Sequence, residues 1–244
     1  YMRRFSAYEL NILNKYKIDP NSITDHHIPV EYVVGQAEFC EHSFKVTKDT
    51  LIPRVETEYL VELALHHVST RHLNYADIGC GSGAIGLSFG IELVRRNVSF
   101  NATLSDVSDA ALEVARENYH KLKSQLFDNR VMIFRSNLLK SYDKDKKLDL
   151  IFANLPYIPT SRLDLLDKSV TNYEPMSALD GGEDGLSLIR ELLESTKEYL
   201  SSNGVILLEV DDTHFKTEEF EKEWSIEVKN DFNGKIRYWV CTCK

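Results

Sequence analysis

The hydrophobic positions of the chain alternate between short apolar runs and longer stretches with helical spacing. Five short runs are typical of buried strands, and they lie at residues 74–78, 101–104, 131–134, 148–153 and 205–210. Helical spacing predicts helices at residues 60–67, 87–95, 109–119 and 186–200, the last stopped by Gly204, and a final helix that ends at 220–224. This alternation predicts an α/β domain with a largely parallel sheet.

The two ends of the chain carry different patterns. At the C-terminus, strands at 226–229 and 236–241 are predicted to pair across Asn233-Gly234, a dipeptide that favours a tight hairpin turn. At the N-terminus, a helical pattern at 5–16 stops at Asp19-Pro20, and strands at 37–40 and 44–47 are predicted to form a hairpin. We therefore expect a mixed, doubly wound sheet with an antiparallel C-terminal hairpin.

Composition and charge narrow the classes of function. The chain has 244 residues, 43% of them hydrophobic and 27% charged, as is ordinary for a soluble globular protein. The net charge of −9 argues against a surface that neutralises many phosphates, so we expect no direct nucleic-acid partner. No apolar run approaches the ~20 residues that cross a bilayer, and no leader opens the chain, so we expect a cytoplasmic protein without a membrane partner.

The four cysteines do not suggest a disulfide framework or a metal site. They are too few and too scattered for a chain of this size. Cys241 and Cys243 lie two residues apart in a predicted strand, and a lone pair of this spacing is more often packing than a metal ligand. We predict no metal.

A glycine-rich turn follows the first predicted core strand. That strand contains Asp77, and the turn contains Gly79, Cys80, Gly81, Ser82 and Gly83. Glycines allow a ligand to approach the backbone closely, and the following helix N-terminus offers N–H groups. Asp106, at the end of the second strand, can accept both hydroxyls of a ribose, and Asn137, after the third strand, can meet an adenine edge. The pattern predicts a nucleotide-class cofactor but leaves a dinucleotide and a methyl donor both open.

The fourth predicted strand ends abruptly in Asn154-Leu155-Pro156-Tyr157. The carboxyl end of a strand is where open α/β sheets bind ligands. The Asn154 amide accepts and donates at once, which suits an amide or an exocyclic amine. Pro156 biases Leu155 to an extended conformation and leaves the Leu155 carbonyl available. An ordinary strand exit with a turn-forming proline is the alternative for such a tetrapeptide.

Two further segments give weaker indications of a role in the site. Before the helix at 60–67, Thr57 or Glu56 is suited to capping, and Arg54 is suited to pairing with Glu56 or Glu58. The connection at 158–173 is longer than a compact domain requires, so a substrate-facing loop is plausible there.

Taken together, six segments in order resemble the HemK/PrmC family of protein-(glutamine-N5) methyltransferases, which modify peptide chain release factors. The segments are Tyr32-Val-Val-Gly35, the strand at 44–46, Leu51-Ile-Pro-Arg-Val-Glu-Thr-Glu58, Asp77-Ile-Gly-Cys-Gly-Ser-Gly83, Asn154-Leu-Pro-Tyr157 and Glu174-Pro with Gly181-Gly-Glu-Asp-Gly185. The resemblance covers residues 28–243 and implies a seven-stranded, Rossmann-like methyltransferase domain. It also implies S-adenosylmethionine as cofactor and the glutamine of a Gly-Gly-Gln motif as the methyl acceptor.

The resemblance also implies roles for individual residues. The catalytic set is Asn154, Leu155, Pro156 and Tyr157. The cofactor-binding set is Asp77, Gly79, Cys80, Gly81, Ser82, Gly83, Asp106, Asn137, Leu138 and Asn154. Asn154 and the Leu155 carbonyl would accept the two hydrogens of the glutamine amide, and Tyr157 would fix its plane.

Three features depart from the family pattern. The helical N-terminal domain of the family is reduced to about one helix, so we divide the chain into a short remnant at 1–35, a hairpin linker at 36–50 and the methyltransferase domain at 51–244. Leu155 replaces a proline, and Asn137 stands where an acidic residue is usual.

The sequence leaves three alternative functions open. Asn-Leu-Pro-Tyr also resembles the motif of ribosomal RNA adenine dimethylases, which suggests an N6-adenine methyltransferase. A catalytically silent module that binds the cofactor and a partner is the second. A hydride-transfer enzyme is the third, and only the glycine turn supports it.

Overall fold

A seven-stranded sheet forms the centre of the chain in the computed structural model, which describes residues 4–25 and 27–244. A separate two-stranded sheet precedes it. The strands are β1 (Gln36–Phe39), β2 (His42–Lys45), β3 (His72–Ile78), β4 (Ser99–Asp106), β5 (Arg130–Arg135), β6 (Leu148–Ala153), β7 (Leu200–Glu209), β8 (Trp224–Asn230) and β9 (Ile236–Cys243).

The order of the large sheet is β5-β4-β3-β6-β7-β9-β8. Strands β3 to β7 are parallel, whereas β9 is antiparallel to both of its neighbours. The predicted fold class, a mostly parallel seven-stranded sheet with a C-terminal antiparallel hairpin, is confirmed.

The helices are α1 (Ala7–Lys15), α2 (Val30–Val34), α3 (Glu58–His66), α4 (Ala84–Arg95), α5 (Asp109–Leu126), α6 (Lys168–Thr171) and α7 (Ser187–Thr196), with 3₁₀ turns at Pro20–Ser22, Thr160–Leu165 and Met176–Ala178. Helices α3, α4 and α5 pack on one face of this sheet and α7 on the other. Among residues 4–25 and 27–244, no helix combines the length and the apolar character that crossing a bilayer requires.

The continuous apolar run of β6 is explained by burial on both faces. Leu150 and Phe152 pack into a core that includes buried residues of α3, α4 and α5. Ile151 and Ala153 pack on the other face, in a core that includes the buried side of α7 and Trp239. A strand covered on both sides needs no polar alternation, so its sequence is apolar throughout.

The topology opens a crevice between β3 and β6. From β3 the chain moves outward to β4 and β5, and it then returns to the opposite side of β3 as β6. In the parallel register, Ile78 lies beside Ala153. The residues that follow, Gly79 and Asn154, therefore leave the sheet next to each other at this switch point, where open α/β sheets bind ligands.

Asn118 of α5 attaches the small hairpin to the rest of the domain. The Lys45 backbone N–H donates to the Asn118 side-chain oxygen at 2.6 Å, and the Asn118 amide nitrogen donates to the carbonyls of Lys45 and Ser82. The hairpin prediction is confirmed with strand bounds shifted toward the N-terminus. The division into segments 1–35, 36–50 and 51–244 stays a prediction, and residues 1–3 and 26 of the first segment lie outside the described residues.

Two predicted elements are wrong in detail. The segment at 220–224 does not end a helix, because residues 218–223 form successive turns and Trp224 begins β8. Gly204 does not stop the preceding helix, since α7 ends at Thr196 and Gly204 lies inside β7. The predicted hairpin across Asn233-Gly234 is confirmed, with longer strands.

Candidate functional site

A cavity of about 320 Å³ lies at the carboxyl ends of β3, β4 and β6. Ten of the predicted site residues line it: Gly79, Cys80, Gly81, Ser82, Asp106, Asn137, Leu138, Asn154, Leu155 and Pro156. Asp77, Gly83 and Tyr157 are not among its lining residues. The structure therefore brings most of the predicted set together around one space, which we call the first cavity.

Asp77 lies beneath the glycine turn and supports it from inside. Its side chain is fully buried, and one carboxylate oxygen accepts the Gly86 N–H at 2.9 Å. The other oxygen has no hydrogen-bond partner among the described residues. Burial raises the pKa of Asp77 to about 7. Asp77 thus anchors the start of α4 and does not face the cavity.

The glycine turn is hydrogen-bonded to β4, and its small residues let Leu155 pack against it. The Gly79 and Cys80 N–H groups both donate to the Ser105 carbonyl, at 2.8 and 2.9 Å. Gly79 has a φ of +72°, and a Cβ there would lie 3.1 Å from the Leu155 side chain. A side chain at this position would therefore be strained by its backbone and crowded by Leu155.

Asp106 is held by backbone donors on both of its oxygens. One oxygen accepts the Gly81 N–H and the other accepts the Ser108 N–H, each at 2.9 Å. Each carboxylate oxygen can accept more than one hydrogen bond, so both keep capacity for a ligand. This fixed carboxylate at the cavity wall is suited to a pair of vicinal hydroxyls.

The Asn137 and Leu138 segment forms another wall of the first cavity. Asn137 is exposed, whereas Leu138 is buried and has a φ of +49°, which is uncommon for a side chain of its size. The Ser136 hydroxyl stabilises this conformation by donating to the Leu138 carbonyl at 2.6 Å. An apolar side chain and a free amide are therefore presented to the cavity next to each other.

Leu155, the departure from the family motif, has a packing role. Its side chain is buried in the α7-side core and lies against Gly79. Its carbonyl oxygen has no hydrogen-bond partner among the described residues, which agrees with the expectation that it remains available.

A second cavity, of about 310 Å³, adjoins the first. Its walls include Tyr157 and Arg237, and the 158–173 connection contributes Ile158, Arg162, Leu165, Leu166 and Val170. Leu51, Arg54, Asn154 and Ala178 line both cavities. Asn154 thus lies at the junction of the two spaces.

A buried carboxylate hydrogen-bonds the residues at this junction, and the sequence did not predict its role in the site. Glu209, at the end of β7, accepts three hydrogen bonds. The donors are the Asn154 amide nitrogen at 3.3 Å, the Thr57 hydroxyl at 2.7 Å and the Tyr157 hydroxyl at 2.8 Å. Burial raises the pKa of Glu209, and its hydrogen bonds from Thr57 and Tyr157 oppose that rise. The available sequence signal was a charged residue that ends the apolar run of β7.

Tyr157 contributes a fixed ring to the second cavity. Burial and the nearby Glu209 carboxylate raise the pKa of the Tyr157 phenol. Arg237 donates to the Tyr157 hydroxyl at 3.4 Å. The ring therefore has a neutral hydroxyl held between a carboxylate and a guanidinium.

The predicted partners of Arg54 are wrong. Arg54 pairs with Glu174, whose side chain is only 1% exposed, and not with Glu56 or Glu58. Glu58 instead accepts the Cys40 N–H at 2.9 Å. The pair connects the 51–58 segment to the Glu174-Pro175 segment, and Arg54 lies at the wall of both cavities.

Thr57 does not cap α3 through its side chain. Its hydroxyl donates to Glu209 and also lies 3.4 Å from the Asn154 amide nitrogen. The residue therefore serves the junction and not the helix end.

The glycines of the 181–185 segment allow it to pack on the backbone that follows Asn154. A Cβ on Gly185, whose φ is +79°, would lie 2.3 Å from the Tyr157 carbonyl oxygen. His214 holds the same segment, because its Nε2–H donates to the Asp184 carbonyl at 2.8 Å while its Nδ1 accepts the Asp211 N–H. The segment thus supports the Asn154 to Tyr157 turn from outside.

The arrangement is suited to a transfer between two bound molecules. The two cavities meet at Asn154 and beside Leu155, where an amide oxygen and a main-chain carbonyl can accept hydrogen bonds. In the described part of the chain, no three His, Cys, Asp or Glu side chains are grouped as ligands for a metal ion.

Comparison with known proteins gives consistent results. The family model described as methyltransferase small domain matches residues 57–172. A Bacillus anthracis protein named release factor glutamine methyltransferase is 33% identical over 220 residues, which cover 86% of this chain and 75% of that protein. Proteins of the same name from Enterococcus faecalis and Borreliella burgdorferi are 37% and 39% identical, over 77% and 75% of this chain and 64% and 60% of their own lengths.

Solved structures show the same fold at low identity. A methyltransferase from Pyrococcus furiosus superposes with a TM-score of 0.55 at 17% identity, covering 82% of this chain and 88% of that one. A ribosomal protein L11 methylase from Lactobacillus delbrueckii subsp. bulgaricus gives a TM-score of 0.53 at 17% identity, over 78% and 80% of the two chains.

Proposed function

This chain belongs to the family of release factor glutamine methyltransferases, and from that membership we propose that it methylates a glutamine side chain. The methyl group comes from S-adenosylmethionine, and the acceptor is the amide nitrogen, N5, of the glutamine in the Gly-Gly-Gln motif of a peptide chain release factor. The observation that carries the proposal is the position of Asn154 at the junction of two cavities.

The first cavity fits S-adenosylmethionine, which supplies an electrophilic methyl group on a sulfonium. Asp106 would accept the ribose hydroxyls with the free capacity of its two oxygens. The glycine turn lets the cofactor lie against the backbone, and Leu138 and Asn137 would contact the adenine. Asp77 and Gly83 act in this proposal by shaping the turn.

The second cavity fits the glutamine side chain. An amide nitrogen is a weak nucleophile because its lone pair is delocalised into the carbonyl, so the protein has to orient it. The Asn154 oxygen and the Leu155 carbonyl would accept its two hydrogens, while Pro156 keeps the turn rigid and the Tyr157 ring fixes the amide plane. Most of the rate enhancement would come from position and from exclusion of water.

The 158–173 connection would contact the release factor. Five of its residues line the second cavity, and one of them, Leu165, is 79% exposed. A loop at the entrance of the acceptor site is suited to contact with the protein that carries the glutamine. The adenine alternative is not favoured, because the relatives that match most of the chain carry the release factor name.

The proposal is tested by incubating the protein with a release factor that carries Gly-Gly-Gln and with isotopically labelled S-adenosylmethionine. Mass spectrometry of the Gly-Gly-Gln peptide should show one labelled methyl on glutamine. Asn154→Ala should lower the transfer rate by about 100-fold, the loss typical of a misplaced reacting group. Asn203→Ala, an exposed asparagine near the opposite end of the sheet, should leave the rate unchanged. Methylation of adenine-containing RNA in place of the glutamine would overturn the proposal.

A further inference from the structure

We propose that Glu209 is the positioning residue of the transfer: its carboxylate orients the Asn154 amide so that the Asn154 oxygen faces the junction of the two cavities. This role rests on the proposed function of Asn154 as the acceptor of the glutamine hydrogens. Glu209 lines neither cavity and is 1% exposed, so it acts through Asn154 and not by contact with a substrate.

The orientation of Asn154 follows from the chemistry of its neighbours. The Asn154 nitrogen lies 3.3 Å from a Glu209 oxygen and 3.4 Å from the Thr57 hydroxyl oxygen. The carboxylate has no hydrogen to donate, and Thr57 commits its hydrogen to Glu209 at 2.7 Å. Both neighbours therefore present only lone pairs to Asn154. A flipped amide would place its oxygen against two acceptors, so the nitrogen stays inward and the oxygen is directed to the cavities.

The Glu209 carboxylate is itself fixed by other elements. The Tyr157 hydroxyl donates to its second oxygen at 2.8 Å, and Arg237 of β9 donates to the same hydroxyl. Arg237 in turn lies 3.8 Å from Asp231. The carboxylate thus receives donors from the start of α3 and from the turn after β6, which leaves it little freedom to rotate.

The geometry also separates Glu209 from a purely structural role. A residue needed only for packing at this depth would be apolar, because burying a carboxylate is unfavourable unless its hydrogen bonds are satisfied. Three donors satisfy Glu209, and two of them, Asn154 and Tyr157, belong to the motif at the junction. The buried carboxylate therefore connects both polar side chains of that motif to one fixed point.

Two substitutions separate the hydrogen-bond role from the charge. Glu209→Met has a similar length but accepts no strong hydrogen bond, so Asn154 loses its orientation and kcat should fall about 100-fold. Glu209→Gln keeps one oxygen for Asn154 and Thr57, and its nitrogen can donate to the Tyr157 hydroxyl. It should recover at least about ten-fold of the rate that Glu209→Met loses, since the neutral amide still provides the acceptor. The Kd for S-adenosylmethionine and the KM for the release factor should change less than about three-fold in both variants, because ordering Asn154 is needed for the transition state and not for binding.

The matched control is Leu207→Met, a buried substitution on the same face of β7 two residues away. It should leave kcat within about two-fold, as volume-conserving core changes are tolerated. A loss as large as that of Glu209→Met would show a general core effect and would overturn the assignment.

Coupling between the two side chains gives the sharper test. If Glu209 acts through Asn154, then Glu209→Met added to Asn154→Ala should lower kcat by less than about two-fold further, because the interaction is already gone. Multiplication of the two single losses would show independent roles and would overturn the assignment.

A measurement on the wild-type protein does not depend on whether Glu209→Met folds. The side-chain amide signal of Asn154 in a nitrogen-15 NMR spectrum, identified by its loss in Asn154→Ala, should shift as Glu209 titrates and should not show that titration in Glu209→Gln. A signal that ignores the charge state of Glu209 would overturn the assignment. A wild-type protein that leaves the glutamine unmethylated would overturn the proposed function, whereas an active wild type with an equally active Glu209→Met would overturn this inference alone.

Discussion

At the scale of single residues, Asp106 fixes the backbone with the same two oxygens that would bind the cofactor in the proposed function. Its carboxylate accepts the N–H groups of Gly81 and Ser108, which fixes the glycine turn against the start of α5. The same oxygens keep lone pairs that face the first cavity. A substitution there removes both functions, so its effect on the cofactor should exceed that of a lost surface charge.

We expect Asp106→Ala to raise the Kd for S-adenosylmethionine by roughly 100-fold or more, because hydrogen bonds to a charged acceptor contribute about 1.5–3 kcal/mol each. Isothermal calorimetry measures this directly. Asp109→Ala removes the same charge three residues away, from a side chain that is 70% exposed, and should leave the Kd nearly unchanged. Equal affinities for wild type and Asp106→Ala would remove Asp106 from the cofactor site.

The residues that the sequence identified are those with a local signal. Gly79 and Asn154 directly follow an apolar strand, and Asp106 is the last residue of one. Glu209 also ends an apolar strand, but a local signal does not reveal its role or that of the Arg54–Glu174 pair, because the partners are distant in sequence. Thr57 and Glu209 are 152 residues apart, and Arg54 and Glu174 are 120 apart. For this reason the sequence predicts near neighbours, Glu56 and Glu58, as the partners of Arg54.

At the scale of elements, the segment at 181–185 is the outer support of the turn after β6. Gly185 approaches the Tyr157 carbonyl oxygen so closely that a Cβ would lie 2.3 Å from it, and His214 is also within 3.0 Å of that position. No rotation of a side chain relieves a contact between a Cβ and a backbone oxygen. Either the segment or the motif at the junction has to move.

We expect Gly185→Ala to destabilise the protein and to slow turnover together, since the displaced backbone carries Tyr157. The matched control is Gly35→Ala, which has a similar φ of +70° but no atom within 4 Å of the added Cβ. The control should cost only the ~1–2 kcal/mol of a left-handed backbone, with turnover unaffected. Denaturant unfolding and kcat measure both quantities. Equal losses for the two variants would show that the contact with Tyr157 has no consequence.

At two elements, tertiary contacts override the local sequence pattern. Residues 218–223 contain good helix formers, yet they form turns because Trp224 is 2% exposed and pairs with Cys243 at the start of β8. Gly204 suggested a helix stop, but β7 passes through it, and a Cβ there would lie 3.0 Å from the Leu148 carbonyl. In both places a tertiary contact decides the structure, and the local pattern of residues does not reveal that contact.

At the scale of the whole molecule, carboxylates respond to pH in two opposite ways. Several surface carboxylates, among them Asp180 and Asp184, have a pKa below the ordinary value because hydrogen bonds favour the charged form. Their contribution to stability is lost as pH falls. Asp77 is the opposite case, because burial raises its pKa and the nearby Asp106 charge adds to that rise.

The direction in which Asp77 changes stability with pH follows from the number of protons that the folded and unfolded states bind. With a pKa of about 7 in the folded protein and an ordinary value of 3.8 in the unfolded chain, the folded state binds the additional proton between those two pH values. The contribution of Asp77 to stability therefore falls as pH rises through this window, by at most ~1.4 kcal/mol per pH unit, and is constant above it.

Asp77→Asn removes this titration but keeps an oxygen for the Gly86 N–H. We therefore expect the free energy of unfolding of Asp77→Asn, relative to wild type, to increase as pH rises from about 4 to about 7 and then to level off. Denaturant unfolding in a series of buffers measures the difference, in which the other carboxylates cancel. Asp128→Asn makes the same chemical change at an exposed position and is the matched control. A difference that stays constant over this range, or decreases with rising pH, would show that Asp77 is charged in the folded protein throughout.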